Sequence, residues 1–368
     1  MLRYKFLIFF LTSIVISCYS QEDSIRNYQL GIKRGYGFII SHSPTMEYIT
    51  EQHVSKIELS IEKNTFGNKD WHQHHGFPRI GLSFTYFNFN NEKHLGKGYS
   101  LYPYFNFKVF DINKVQLRFK PAIGIGYIEK PFDSETNFKN AAIGSHLNIF
   151  FSFLAETEIK LSKNSGLLLG VNFSHFSNTA FKNPNLGINI PTIEAGIFHS
   201  FGSNSSRIIK ETTNYNKEKA VWMVNAGTGF NEINPPNEKK YLATAISIVN
   251  EKRLNFKSSI AGSLDFFYNP SHTNILRTDS TYIDDGFDNL QIGISFHHVL
   301  HFGKLQNYIQ FGYYLKNKNK DLGNIYQIVG GRYQINNRWN ALLIFKTHLA
   351  KAEYLMVGAG LKLGRNEK

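Results

Sequence analysis

The residues whose types and spacing could do chemistry are His175 and Ser177, in the run His175-Phe176-Ser177-Asn178, and Asn189, eleven residues past Asn178. A serine hydroxyl is a poor nucleophile until a nearby imidazole takes its proton. Two residues apart on a strand, the pair shares one face with Cα atoms roughly 6 to 7 Å apart, so the side chains can meet. This set could therefore carry acyl transfer to serine, with donors aimed at the developing oxyanion supplying much of the rate.

Strand parity decides which way the set faces. In the segment at 165–178, Leu167, Leu169, Val171 and Phe173 alternate with Leu168, Gly170, Asn172 and Ser174, and His175 and Ser177 continue the apolar row. In the following segment Asn189 begins the row Pro191, Ile193, Ala195 and Ile197, while Glu194 lies in the other row. In a membrane barrel the apolar row meets lipid and the polar row meets the lumen. His175, Ser177 and Asn189 are thus expected together on the lipid side of one rim, where polar groups are costly unless used or hydrated. The segment before them places Leu147, Ile149, Phe151 and Phe153 toward lipid and His146, Asn148, Glu156 and Glu158 toward the lumen.

The rest of the chain repeats this pattern. Sixteen segments of alternating polarity, from 28–42 to 353–364, are separated by turn-rich gaps, and most exceed the roughly 9 to 11 residues a membrane strand needs. No stretch has the 18 or so uninterrupted apolar residues of a transmembrane helix. Aromatic residues make up 15% of the chain, high for a soluble domain. The fold class predicted is all-β: an antiparallel transmembrane β-barrel of outer-membrane type, with about sixteen strands as two eight-stranded units in tandem or as one larger barrel. A soluble secreted β-sandwich is the competing class, although it would use fewer long strands.

Gap lengths also alternate, with tight turns after segments 4, 6, 10, 12 and 14 and long loops after 5, 7 and 11. Short periplasmic turns and long outer loops fit a barrel whose odd segments run outward. The gap 64–77 is an exception, being long where a turn should be short. Residues 203–219 are polar and unpatterned and are expected to be a linker between units at 21–202 and 220–368.

Residues 1–20 are expected to be a signal peptide: Arg3 and Lys5 precede an apolar run from Phe6 to Ile16 that is too short to span a bilayer. Two cleavage readings compete. Val15-Ile16-Ser17-Cys18 fits a lipoprotein box that would acylate Cys18, and Cys18-Tyr19-Ser20 before Gln21 fits ordinary cleavage, the reading adopted. In that case the chain's one cysteine leaves with the signal. The formal charge is +13, and the signal holds two basic and no acidic residues, leaving +11. Nucleic acid is no partner for an exported chain. Positive loops facing anionic lipid phosphates, or lysines that merely keep loops solvated, both account for the excess.

The run His175-Phe176-Ser177-Asn178 followed by Pro184-Asn185-x-Gly187-Ile188 resembles the outer-membrane lipid A 3-O-deacylases (PagL) and the acyloxyacyl hydrolase-like proteins related to them, over about residues 27–202. The resemblance implies an eight-stranded barrel with the His-x-Ser-Asn motif on its penultimate strand and a site on the outer wall facing acyl chains. It implies Ser177 as nucleophile, His175 as general base and Asn178 as a contributor to the oxyanion hole. It implies a hydrolase that removes an ester-linked acyl chain from the lipid A of lipopolysaccharide in the outer membrane, with no cofactor. The family has a glutamate where this chain has Asn189, which implies that Asn189 orients the neutral imidazole through its carbonyl without adding charge, so the expected set is Ser177-His175-Asn189. Glu194 cannot substitute, because its parity points it into the lumen. A non-catalytic barrel, structural or a pore, is the alternative.

Other polar clusters carry less. Asp70, His72, His74 and His75 could bind zinc, but no clear fourth ligand accompanies them and no metal is expected. Asp279, Asp284, Asp285 and Asp288 match no calcium-loop spacing. His348 superficially mirrors His175, yet it falls in the lumen row and lacks a serine two residues on. Oligomeric state is not legible.

Overall fold

The computed structural model describes residues 25–210, 215, 219–233, 239–276, 287–349 and 351–363. The expected signal peptide and both of its cleavage readings lie outside the described residues. Each of the sixteen alternating segments forms a strand. The first eight are β1 (Ile25–Phe38), β2 (His53–Lys63), β3 (Arg79–Asn91), β4 (Gly96–Ile112), β5 (Val115–Ile128), β6 (Leu147–Lys160), β7 (Ser165–Ser177) and β8 (Ile188–Ser205). The second eight are β9 (Val221–Asn231), β10 (Tyr241–Arg253), β11 (Ser258–Tyr268), β12 (Leu290–Phe302), β13 (Leu305–Lys316), β14 (Ile325–Gln334), β15 (Trp339–His348) and β16 (Lys351–Leu363). Each strand pairs antiparallel with its neighbours; β1 closes on β8 and β9 closes on β16. The architecture is therefore two closed eight-stranded barrels, and the single sixteen-stranded alternative is excluded.

Parity holds across the sheet. On β7, Leu169 and Val171 are exposed while Leu168, Asn172 and Ser174 are buried. The exposed row continues around the first barrel through Ile32, Leu59, Leu82, Leu101, Ile125 and Ile193. So contiguous an apolar belt is untenable in water and is the lipid-facing surface of a transmembrane barrel. No helix among the described residues is long and apolar enough to cross a membrane.

The lumen of the first barrel is filled by charge. Lys33, Lys56, Arg79, Arg118 and Lys120 interleave with Glu58, Glu62, Glu156, Glu158 and Glu194. Five cations against five carboxylates leave the interior neutral, the condition under which buried charge is tolerated. Lys33 Nζ lies 3.1 Å from Glu58, 3.0 Å from Glu156 and 3.3 Å from Glu194. Lys33→Met strands those carboxylates and is expected to cost about 3–5 kcal/mol of stability. The urea midpoint of the refolded protein measures this, and an unchanged midpoint rejects the network as a source of stability. Above the charged layer Phe87, Phe150, Phe176 and Ile190 close the outer mouth together with Met46 and Ile49 from the β1–β2 loop.

The second lumen holds a smaller polar network. Asp265 accepts from Ser295, Gln310 and Tyr326, and Lys346 pairs with Glu353 at 2.7 Å. His348 sits in this lumen, hydrogen-bonded to Tyr314 Oη at 2.8 Å, as its parity requires.

The gap 64–77 is long because it docks the barrels to each other. Its short helix Asp70–His74 presents Trp71 edge-on to Phe302 of β12, with ring centroids 6.0 Å apart. His75 stacks on the same Phe302 at 4.3 Å, and its Nε2 donates to the His301 carbonyl at 2.8 Å. His72 is buried beside Trp71, so packing accounts for this histidine cluster. No metal-binding group of three or more ligands occurs among the described residues. Of the acidic loop, Asp279, Asp284 and Asp285 lie outside the described residues, and Asp288 pairs with Lys318 at 2.7 Å. One parity reading fails. His146 is exposed and stacks on the outward Tyr127, with its Nδ1 on the Ile128 carbonyl. It precedes β6, where strand alternation does not apply.

Candidate active site on the outer wall

The pairing of β7 with β8 sets His175 directly opposite Asn189. His175 Nδ1 donates to Asn189 Oδ1 at 2.6 Å. This bond places the imidazole proton on Nδ1 and leaves the Nε2 lone pair free, the tautomer a general base requires. Both residues are half-buried at the outer end of the lipid-facing row. Gly187 backs the ring. Its φ is +82°, and a Cβ there would lie 2.7 Å from His175 Cε1. Gly187→Ala is therefore strained in backbone and ring position alike. The expected result is a displaced His175 ring with the barrel still folding, read from the imidazole resonances by NMR. Unshifted resonances in the alanine variant would show that Gly187 does not set the ring position.

Ser177 is only 5% exposed although it continues an outward row, because the β7–β8 loop folds over it. Its Oγ accepts from Asn185 Nδ2 at 3.1 Å and from the Thr179 amide at 3.2 Å. Thr179 and Ala180 both take left-handed backbone, with φ of 56° and 60°. For a β-branched threonine that conformation is costly, and such strain concentrates at functional sites. Here it turns the Thr179 N–H onto the serine oxygen. Among the described residues no hydrogen bond joins Ser177 to His175; the loop holds the serine instead.

The side chain of Asn178, the residue expected to contribute to the oxyanion hole, is engaged by the loop. Its Nδ2 donates to Ser145 Oγ at 3.0 Å and to the Lys182 carbonyl at 2.6 Å, which takes both amide hydrogens. Its backbone N–H donates to Asn185 Oδ1 at 3.0 Å. Asn178 thus shapes the loop, and the side-chain donor beside the serine oxygen is Asn185. Glu194 lies in the lumen against Lys33 and Lys56, out of reach of His175.

Two participants are not identified by sequence reasoning. Asn185 lies in the quoted Pro-Asn-x-Gly run, but its contact with Ser177 depends on how the loop folds back. His42 follows β1, and the closure of β1 on β8 carries it to the same rim. Its Nε2 donates to the Leu186 carbonyl at 3.0 Å, and its Nδ1 lies 3.3 Å from the Ile40 carbonyl and 3.4 Å from Asn189 Nδ2. Asn189 thus lies between two imidazoles, with its carbonyl toward His175.

Residues 55–198 match the family model described as lipid A 3-O-deacylase (PagL). That match falls within the first barrel. Residues 220–366, the second barrel, match the model described as acyloxyacyl hydrolase, C-terminal domain. No curated protein matches the chain. Solved structures similar to it include the outer membrane enzyme PagL, at 18% identity and a TM-score of 0.31, covering 45% of this chain and 97% of that one. Neisserial surface protein A is 13% identical with a TM-score of 0.33, covering 47% of this chain and 97% of that one. A mutant of the Rhodopseudomonas blastica porin is 9% identical with a TM-score of 0.19, covering 91% of this chain and 99% of that one.

Proposed function

We propose that the first barrel is an outer-membrane ester hydrolase that removes an ester-linked acyl chain from lipid A. The observation that carries this reading is the 2.6 Å bond from His175 to Asn189 at the lipid-facing outer end of the wall, one turn of the pleat from a loop-held serine. An acyl ester of a lipid in the outer leaflet reaches that rim without leaving the membrane. Ser177 Oγ attacks the acyl carbonyl while its proton passes to His175 Nε2. The tetrahedral intermediate collapses, and His175 returns the proton to the departing sugar oxygen. Water, deprotonated by the same nitrogen, then releases the fatty acid and frees the serine. Asn185 Nδ2 is the side-chain donor placed to meet the oxyanion. The serine–imidazole contact forms when substrate displaces the hydroxyl from its loop partners, since catalytic hydrogen bonds often tighten only in the complex.

The chemistry needs no cofactor. A pore reading has little support, because the lumen of the first barrel is packed with paired charge. In the second barrel, a lumen cavity beside His297, Gln310 and Lys346 is about 20 Å³, room for roughly one water. Mass spectrometry of lipid A after incubation with the purified protein is the test. The expected result is loss of one acyl chain with free fatty acid appearing, and unchanged lipid A rejects the hydrolase.

A further inference from the structure

The outward row of β15 breaks its own rule. Leu343 is 37% exposed, as a lipid-facing residue should be, but Phe345 in the same row is 8% exposed. The first barrel covers it. The Phe345 ring meets Phe151 of β6 edge-on, with centroids 5.4 Å apart, and Phe151 in turn lies 6.0 Å from the His175 ring. An aromatic side chain of the second barrel thus stands at the wall beside the candidate base.

The loop over the serine is held from the same side. The Glu232 amide, just past β9, donates to the Ala180 carbonyl at 2.8 Å. The Glu232 carboxylate accepts from the Asn183 amide at 3.2 Å, and its carbonyl accepts from Asn183 Nδ2 at 2.7 Å. Lys240 Nζ, 2.9 Å from that carboxylate, donates to the Phe181 carbonyl and lies over the Phe181 ring. The Glu232 side chain is 1% exposed. A buried carboxylate reaching across an interface to a backbone amide must have its partners in place or be a liability. Its partners belong to the strained turn that follows Ser177 and Asn178.

We infer that the second barrel completes the ester site of the first: Glu232 is a positioning residue for the 178–187 loop, and Phe345 is one wall of the acyl-chain track at His175. The inference rests on the hydrolase reading above. It assigns the second barrel a part in catalysis and selectivity.

The experiment uses the full-length protein in vesicles of phospholipid and lipopolysaccharide, with Glu232→Ala, Glu232→Gln and Phe345→Ala. Fatty-acid release is resolved into kcat, KM and chain length, and amide exchange of 178–187 is measured without substrate. Glu232→Ala is expected to lower kcat by about 10- to 100-fold with little change in KM, and to speed exchange in the loop. Glu232→Gln restores most of the rate, because its carbonyl oxygen still accepts from the Asn183 amide. Phe345→Ala shifts the chain lengths released and leaves loop exchange alone. Wild-type rate and wild-type exchange in Glu232→Ala, with an unchanged chain profile in Phe345→Ala, overturn the inference. Faster exchange with unchanged turnover overturns the positioning role as well. Should Glu232→Ala fail to fold, Glu232→Gln and Phe345→Ala still decide. A wild-type protein that releases no fatty acid from any lipid sinks the hydrolase reading and the track with it, and loop exchange alone then decides whether Glu232 holds the loop.

Discussion

Ser177→Ala is expected to abolish fatty-acid release from lipopolysaccharide, by on the order of 1,000-fold or more, while leaving the barrel folded. The serine oxygen accepts two hydrogen bonds from its own loop, from Asn185 Nδ2 and the Thr179 amide. Removing it costs about 1–3 kcal/mol for each donor left unpaired, against a barrel closed by eight antiparallel ladders. A structural role for Ser177 would reverse the outcome, with stability falling and any activity tracking the folded fraction. His175→Ala should be as severe. In the proposed mechanism nucleophile and base act as one unit, so the double variant should be no worse than either single change. Mass spectrometry of lipid A, with a urea midpoint on each variant, separates the cases. Residual release that persists in Ser177→Ala at a wild-type rate would remove the serine from the mechanism.

Much of this site is legible in the sequence, for one reason: strand alternation has a period of two and cannot drift over thirteen residues. It places His175, Ser177 and Asn189 on one face and one rim. It also sends Glu194 and His348 into the two lumens, where they pair with Lys33 and Lys56 in one barrel and with Tyr314 in the other. The same rule fails at His146, which lies just before β6 and takes its direction from Tyr127 and the Ile128 carbonyl. What alternation cannot reach is whatever depends on loops or on the meeting of the barrels. The Asn185 contact requires the β7–β8 loop to fold back over Ser177. The bonds of the Asn178 amide to Ser145 and the Lys182 carbonyl likewise depend on how the loop folds. His42 joins the site through closure of β1 on β8, a contact between residues separated by 147 positions. Phe345 and Glu232 are invisible for a stronger reason. Each belongs to another barrel, and only the side-by-side packing that Trp71 and Phe302 share at the opposite end brings that barrel to this wall.

Restoring a carboxylate at position 189 should raise turnover by roughly 10- to 100-fold, and the geometry says why. Asn189 Oδ1 already lies 2.6 Å from His175 Nδ1, so the tautomer and ring orientation are set. What asparagine lacks is charge. Once His175 takes the serine proton, the imidazolium faces a neutral carbonyl, and a carboxylate would stabilise it by about 1–3 kcal/mol more. At about 1.4 kcal/mol per tenfold, that range is the gain expected in kcat. Asn189→Asp keeps the accepting atom nearly in place. Asn189→Glu supplies the residue of the lipid A deacylases with one more methylene to accommodate. Either change also puts a carboxylate oxygen, which can only accept, where the Asn189 amide lies 3.4 Å from His42 Nδ1. Asn189→Leu fills the space without orienting the ring and should lose activity. Turnover of the three variants is the measurement. A flat or reduced rate in both carboxylate variants would mean that position 189 does not support the base, and that the 2.6 Å contact is structural.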